Sequence, residues 1–230
     1  SKYIVLFKRN LIVSLIDQGF TVTVISPLDE YSVRLSEMGA AYCPIVMDSN
    51  GLNPIRDLMY CVDLFKIYRS VKPNANLLFT IKPNIYGTIV SGLLGIKTIN
   101  NVTGLGSVFL EKGAVQSIVK CLYKFAFRYS TNVLFQNSED KAVFTDQNLV
   151  SFQKTVLIPG SGVDINRFKP IEADYSNKLI FLMIGRVLAD KGVREYVEAA
   201  RLIRNQFTEV EFWLLGGCDS DNSSSISLRT

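Results

Sequence analysis

The chain contains no histidine. That absence removes imidazole from its chemistry: a Ser-His-Asp triad, a Cys-His dyad, an H-E-x-x-H zinc site and any histidine general base are impossible within these residues. Cysteine is sparse as well. Cys43, Cys61, Cys121 and Cys218 are widely spaced and form no C-x-x-C pair, so neither a zinc site nor a redox dithiol is signalled, and four free thiols in a reducing cytoplasm are expected. No run reaches the ~18 continuous apolar residues of a spanning helix, and the start carries no signal-peptide pattern. The charge excess is small, +4 over 230 residues with no long basic run, which gives no reason to expect a nucleic-acid partner.

What is present is ample material for a core. Hydrophobic residues make up 48% of the chain and charged residues 20%, a globular composition whose length fits one domain or two. Short apolar or β-branched runs at 21–26, 76–80, 97–101, 132–135, 155–158, 179–184 and 210–215 read as strands, several of them suited to a buried parallel sheet. Helical periods lie between them. Residues 2–18 carry Ile4, Phe7, Leu11, Leu15 and Ile16; residues 58–71 carry Leu58, Val62, Phe65 and Tyr68 and stop before Pro73; residues 138–146 open on Ser138 as N-cap. The alternation predicts βαβ units and a doubly wound α/β sheet. A linker is expected over 168–177, around Lys169-Pro170, and places a first domain at 1–172 and a second at 173–230. An α/β domain of this kind ordinarily opens on a strand, so the first strand is expected to be missing and the second domain to be incomplete.

Three polar, Gly- or Pro-marked loops follow apolar strand-like runs: Thr80-Ile81-Lys82-Pro83-Asn84-Ile85-Tyr86-Gly87, Asn100-Asn101-Val102-Thr103-Gly104-Leu105-Gly106 and Pro159-Gly160-Ser161-Gly162-Val163-Asp164. Open α/β sheets put ligand-binding groups in such places. A fourth, Ile184-Gly185-Arg186-Val187-Leu188-Ala189-Asp190-Lys191-Gly192, sits where a strand gives way to a helix. Arg186 offers a planar fork for phosphate oxygens and Lys191 a point charge, beside the backbone donors of a helix N-terminus. The same spacing also fits two solvated cations.

In order and wording these segments resemble the sugar-nucleotide-dependent glycosyltransferases of family 4, the two-domain GT-B type, over nearly the whole chain. The resemblance implies an N-terminal Rossmann-like acceptor domain followed by the start of a nucleotide-sugar-binding domain, with the reaction in the cleft between them. It makes Arg186 and Lys191, in a G-R-x-x-x-x-K-G pattern, the residues that hold the donor diphosphate and offset charge on the leaving group. The closest similarity is to the bacterial surface-polysaccharide branch, which transfers a hexose or an N-acetylhexosamine from a nucleotide sugar to a lipid-diphosphate-linked glycan. Retention at the anomeric carbon is implied, with no cofactor and no bound metal. The family's C-terminal E-x7-E segment is absent from these residues, so the chain alone is expected to be an inactive fragment.

Other motifs keep two readings. Gly104-Leu105-Gly106 lacks the third glycine of a dinucleotide fingerprint, since Phe109 stands there, and fits either a tight turn or a loop at the cleft floor. Lys82 and Asn84 suit acceptor phosphate or hydroxyl groups, while Lys82-Pro83 equally suits a helix start. Gly162-Val163-Asp164 reads as a structural turn. Asp219-Ser220-Asp221 has the form of a metal-binding D-x-D but sits in a Ser- and Asn-rich tail and reads as a solvated loop.

A helix is predicted over 112–129. Val115, Ile118, Val119, Leu122, Phe125, Ala126 and Tyr129 form its expected core stripe, and Lys120, Lys124 and Arg128 its basic row. Tyr123 and Phe127 fall between, a combination suited to an anionic membrane and to peripheral attachment at the inner face of the cell membrane. Two alternatives to a glycosyltransferase remain: a GT-B sugar-nucleotide epimerase, and a non-catalytic sugar-transferase-like binding protein.

Overall fold

The computed structural model of the protein describes residues 1–48, 53–106, 109, 113–171, 179–218 and 225–226. Two compact units divide between Phe168 and Lys169. The predicted boundary at 172/173 and the Asp219-Ser220-Asp221 motif lie outside the described residues.

In the first unit, β1 (Thr23–Ser26) pairs in parallel with β2 (Ala41–Pro44). β3 (Ala75–Phe79), β4 (Lys97–Val102), β5 (Asn132–Phe135) and β6 (Thr155–Leu157) form a second, all-parallel sheet in that order. Parallel neighbours need crossover connections, and the helices supply them. The crossovers are α3 (Ser32–Glu37), α5 (Thr88–Leu93), α6 (Ala114–Ala126) and α7 (Ser138–Asp146), while α1 (Lys2–Phe7) and α2 (Arg9–Asp17) precede β1 and α4 (Pro54–Val71) leads from β2 to β3.

Local chemistry sets several boundaries. The predicted helix at 58–71 begins a turn earlier, because the Asn53 side chain accepts from the amides of Ile55 and Arg56 and Pro54 fills the first helical position. The N-cap of α7 is Asn137, not Ser138: Asn137 Oδ1 accepts from Asp140 N at 2.7 Å, while the Ser138 hydroxyl turns to Glu139. The single helix expected at 2–18 is broken at Lys8, which leaves helical geometry (φ −123°, ψ 8°). Its buried row is Val5, Lys8 and Ile12, whereas Phe7 and Leu11 are exposed.

The principal core lies between the second sheet and α6 and α7. Phe144 is its centre, with the rings of Tyr123, Phe135 and Phe109 at 5.1, 5.3 and 5.4 Å. Burial of each such ring contributes about 1.5–3 kcal/mol.

The second unit is a βαβ element: β7 (Leu179–Ile184), α8 (Val193–Arg204) and β8 (Val210–Leu215), with the strands in parallel register. The Tyr196 hydroxyl of α8 lies 2.8 Å from Phe181 O and 2.9 Å from Trp213 O, tying the helix to both strands.

Candidate functional site

Every loop singled out by sequence follows the carboxyl end of a parallel strand, where the backbone turns out of the ladder and its polar groups become available. In the first unit the rim begins at Thr80, directly after β3. Its φ of +67° is a left-handed conformation that a β-branched residue rarely adopts. A π turn over Pro83–Gly87 follows and runs into α5.

Lys82 stands at the head of this turn, and it is not free. Its Nζ donates to Asp57 Oδ1 at 2.7 Å, and Tyr86 donates its hydroxyl to Asp57 Oδ2 at 2.9 Å. Burial and the bond to this carboxylate raise the Tyr86 pKa, so its phenol stays protonated. Lys82, expected to meet the acceptor, spends its charge on Asp57 of α4 in this structure.

Asn84, expected beside it at the acceptor, is likewise engaged inside the protein. It is 1% exposed, and its amide is spent on the interior. Asn84 Nδ2 donates to Asn101 O at 3.0 Å, and Asn100 Nδ2 donates to Asn84 Oδ1 at 3.1 Å and to Thr88 Oγ1 at 2.7 Å. Ser130 closes the network by donating to Asn100 Oδ1 at 2.7 Å. Such a network pins the π turn to β4, because each member left unpaired would carry the full cost of its own desolvation.

Gly104 and Gly106 lie in the loop after β4. Gly106 has φ +71°, and an added Cβ would meet Ile81 Cδ1 at 3.2 Å, so the β3 and β4 loops touch through a residue with no side chain. Asp164 of the third loop accepts from the amides of Asn166 and Arg167, forming the expected structural turn.

Lys8 and Gln136, to which the sequence assigns no role, join Ser161 of the third loop at the same rim. Lys8 Nζ donates to Ser161 Oγ at 2.9 Å, and Gln136 Nε2 donates to the same oxygen at 3.2 Å. The signal was the position of Lys8, a cation in the buried 5-8-12 row of an amphipathic stretch.

In the second unit, Arg186 follows β7 by two residues, and Lys191 ends a 3-10 turn (Ala189–Lys191) just before α8. Both side chains are exposed. Gly192, at φ +77°, turns the chain into the helix. Gly185 N donates to Leu215 O at 3.0 Å, and a Cβ on Gly216 would overlap Gly185 O, so the loops after β7 and β8 pass in backbone contact.

The predicted membrane face is rotated. Tyr123 and Phe127, expected at the interface, are each 2% exposed and pack in the aromatic core. Val115, Ile118, Phe125 and Tyr129, expected in the core, are exposed at 53%, 51%, 43% and 44%. Lys124 and Arg128 flank this apolar stripe in solvent, while Lys120 reaches to within 5.9 Å of the Phe109 ring centroid. Residue 112, the predicted start of the helix, lies outside the described residues.

Comparison with known proteins gives concordant matches. A family described as glycosyl transferase 4-like matches residues 2–137. The chain is 28% identical, over 97% of its length, to an N,N'-diacetylbacillosaminyl-diphospho-undecaprenol alpha-1,3-N-acetylgalactosaminyltransferase of Campylobacter jejuni subsp. jejuni. It is 25% identical, over 76% of its length, to a UDP-Gal:alpha-D-GlcNAc-diphosphoundecaprenol alpha-1,3-galactosyltransferase of Escherichia coli. The chain spans 62% and 49% of these two curated relatives. Among solved structures, a glycosyltransferase from Rickettsia africae superposes with a TM-score of 0.64 at 16% identity, over 93% of this chain and 65% of that one, a likeness of fold.

Proposed function

Because the chain belongs to the glycosyl transferase 4-like family, we propose that it serves to transfer a sugar from a nucleotide-sugar donor to a glycan hydroxyl on a polyprenyl diphosphate. The observation that carries this reading is the agreement of the two curated relatives, whose names both specify a diphospho-undecaprenol-linked acceptor and an α-1,3 linkage. The transferred unit is a hexose or an N-acetylhexosamine. An α product from an α-linked nucleotide sugar corresponds to retention.

In this reaction a bond forms between the acceptor hydroxyl oxygen and the anomeric carbon. The bond from that carbon to the donor diphosphate breaks, its electron pair leaves with the nucleoside diphosphate, and the hydroxyl proton is released. Negative charge develops on the departing diphosphate. Arg186 and Lys191 are placed on one strand-loop-helix segment, where a fork of N–H donors and a point charge meet the donors of the helix N-terminus and offset that charge. No imidazole is available in the chain to act as base. Positioning of donor and acceptor, with offset of the leaving-group charge, is what these residues bring to the reaction.

The lipid end of such an acceptor lies in a membrane. Among the described residues no helix is long and apolar enough to cross one. The exposed stripe Val115, Ile118, Phe125 and Tyr129, flanked by Lys124 and Arg128, suits attachment at an anionic bilayer surface: apolar side chains enter the interface and cations meet the headgroups. Product analysis of the intact protein with a panel of nucleotide sugars and a polyprenyl-diphosphate-linked sugar tests the proposal. A glycosylated lipid-linked product supports it, and interconversion of donor without an acceptor would replace it with an epimerase.

A further inference from the structure

Lys8 is the one buried lysine among the described residues, at 6% exposure. No carboxylate lies within ion-pair distance of it among those residues. Its Nζ meets one hydroxyl, Ser161 Oγ at 2.9 Å, and two aromatic faces, Phe79 at 4.9 Å and Tyr3 at 5.9 Å from the ring centroids. Aromatic faces attract a cation but accept no conventional hydrogen bond from it, so among the described residues Ser161 Oγ is the one side-chain oxygen that accepts from this ammonium.

The neighbours add donors rather than acceptors. Ser161 Oγ accepts from both Lys8 and Gln136, which engages its lone pairs and leaves its own proton to be donated. Gln136 Nε2 keeps a second proton. Three side chains from three segments thus converge with their positive ends, and among the described residues no carboxylate pairs with Lys8. Burying a cation without a counter-charge is costly, and the Lys8 pKa is lowered by that burial. The location is a ligand rim: Phe79 closes β3, Gln136 follows β5, and Ser161 follows β6 on a loop whose flanking Gly160 and Gly162 hold φ of +85° and +69°.

We propose that Lys8, with Ser161 and Gln136, binds a phosphate group of the acceptor's prenyl diphosphate. This rests on the transfer reading above. The diphosphate brings the missing counter-charge, and Ser161, which is exposed, opens the site to it. Lys8 is a binding and positioning residue that fixes where the acceptor's lipid-proximal end enters, and so which hydroxyl faces the donor.

The test measures equilibrium binding of inorganic pyrophosphate, farnesyl diphosphate and UDP to the full chain, wild type beside Lys8→Met and Ser161→Ala. Loss of Lys8 is expected to weaken pyrophosphate and farnesyl diphosphate by about 10- to 100-fold, and Ser161→Ala by less, since only the first removes a charged donor. Lys8→Met is also expected to raise the urea midpoint, because it removes an uncompensated buried charge, so weaker binding is separable from misfolding. Unchanged farnesyl diphosphate binding by folded Lys8→Met, or a loss confined to UDP, overturns the site. The transfer reading has its own readout. Sugar transfer with an unchanged acceptor KM in Lys8→Met would sink this subsite alone, whereas Lys8-dependent farnesyl diphosphate binding without any transfer would keep the subsite and sink the transfer reading.

Discussion

Lys82 Nζ lies 2.7 Å from Asp57 Oδ1, with the two side chains only 11% and 7% exposed. The contact joins the first turn of α4 to the head of the π turn, 25 residues on, and Tyr86 completes it from within that π turn. Withdrawing two charges from water is offset here by mutual attraction and by the added phenol bond.

Breaking this pair from one side is predicted to be severe. Asp57→Ala leaves the Lys82 cation buried and is expected to cost about 3–5 kcal/mol, read by urea denaturation, while the double variant Asp57→Leu/Lys82→Met recovers most of the loss. A loss under 1 kcal/mol in the single variant would mean that the pair is open to water.

Cys61 supplies a pH-dependent test of the same region. Burial, with the Asp57 carboxylate second, pushes its thiol up to about 11. Its thiolate is scarce at pH 8, whereas Cys121 is exposed. Iodoacetamide at pH 8, followed by peptide mass spectrometry, is expected to modify Cys121 and spare Cys61, with Cys61 labelling rising only as pH approaches 11. The sign for stability agrees. A raised folded-state pKa gives a contribution that is present below the ordinary thiol value and is lost as pH climbs through 11. Equal labelling of both thiols at pH 8 would refute this environment.

The apolar stripe on α6 predicts peripheral binding to anionic vesicles. Ile118→Glu with Phe125→Glu is expected to abolish co-sedimentation with phosphatidylglycerol vesicles without unfolding the protein, since both side chains are exposed. Charge reversal at Lys124 and Arg128 should weaken binding by about 1 kcal/mol for each cation lost. Tyr123→Glu, in contrast, should unfold the first unit, because Tyr123 packs against Phe144 and Phe127. Wild-type protein that ignores such vesicles at low salt would remove the membrane from the account.

These contrasts mark what sequence could and could not convey. The runs 132–135, 179–184 and 210–215 are strands with the predicted limits, because short, mainly apolar stretches bounded by turn residues leave few other solutions. The stretch 41–44 was not legible: Ala41-Tyr42-Cys43-Pro44 has no β-branched residue and becomes a strand through its pairing with β1. α6 was legible in extent but not in facing. Val115, Ile118, Tyr123 and Phe125, with Phe127 just past its end, are apolar around much of its circumference, and the tertiary core around Phe144 takes in Tyr123 and Phe127. Lys82 and Asn84 stood out as loop polars, yet their partners Asp57 and Asn100 lie 25 and 16 residues away, so their roles are tertiary. Arg186 and Lys191 lie in the strand-loop-helix segment in which the motif placed them.

The most direct measurement is sugar transfer by the intact protein from a panel of nucleotide sugars, offered either a polyprenyl-diphosphate-linked sugar or the same sugar without lipid diphosphate, beside Arg186→Ala and Lys191→Ala. Transfer is expected to give an α-linked product on the lipid-diphosphate acceptor and little on the free sugar. A loss of about 1.5–3 kcal/mol of transition-state stabilisation is expected for each variant with the fold intact. No transfer to the lipid-linked acceptor, or undiminished transfer by both variants, would contradict the proposed reaction.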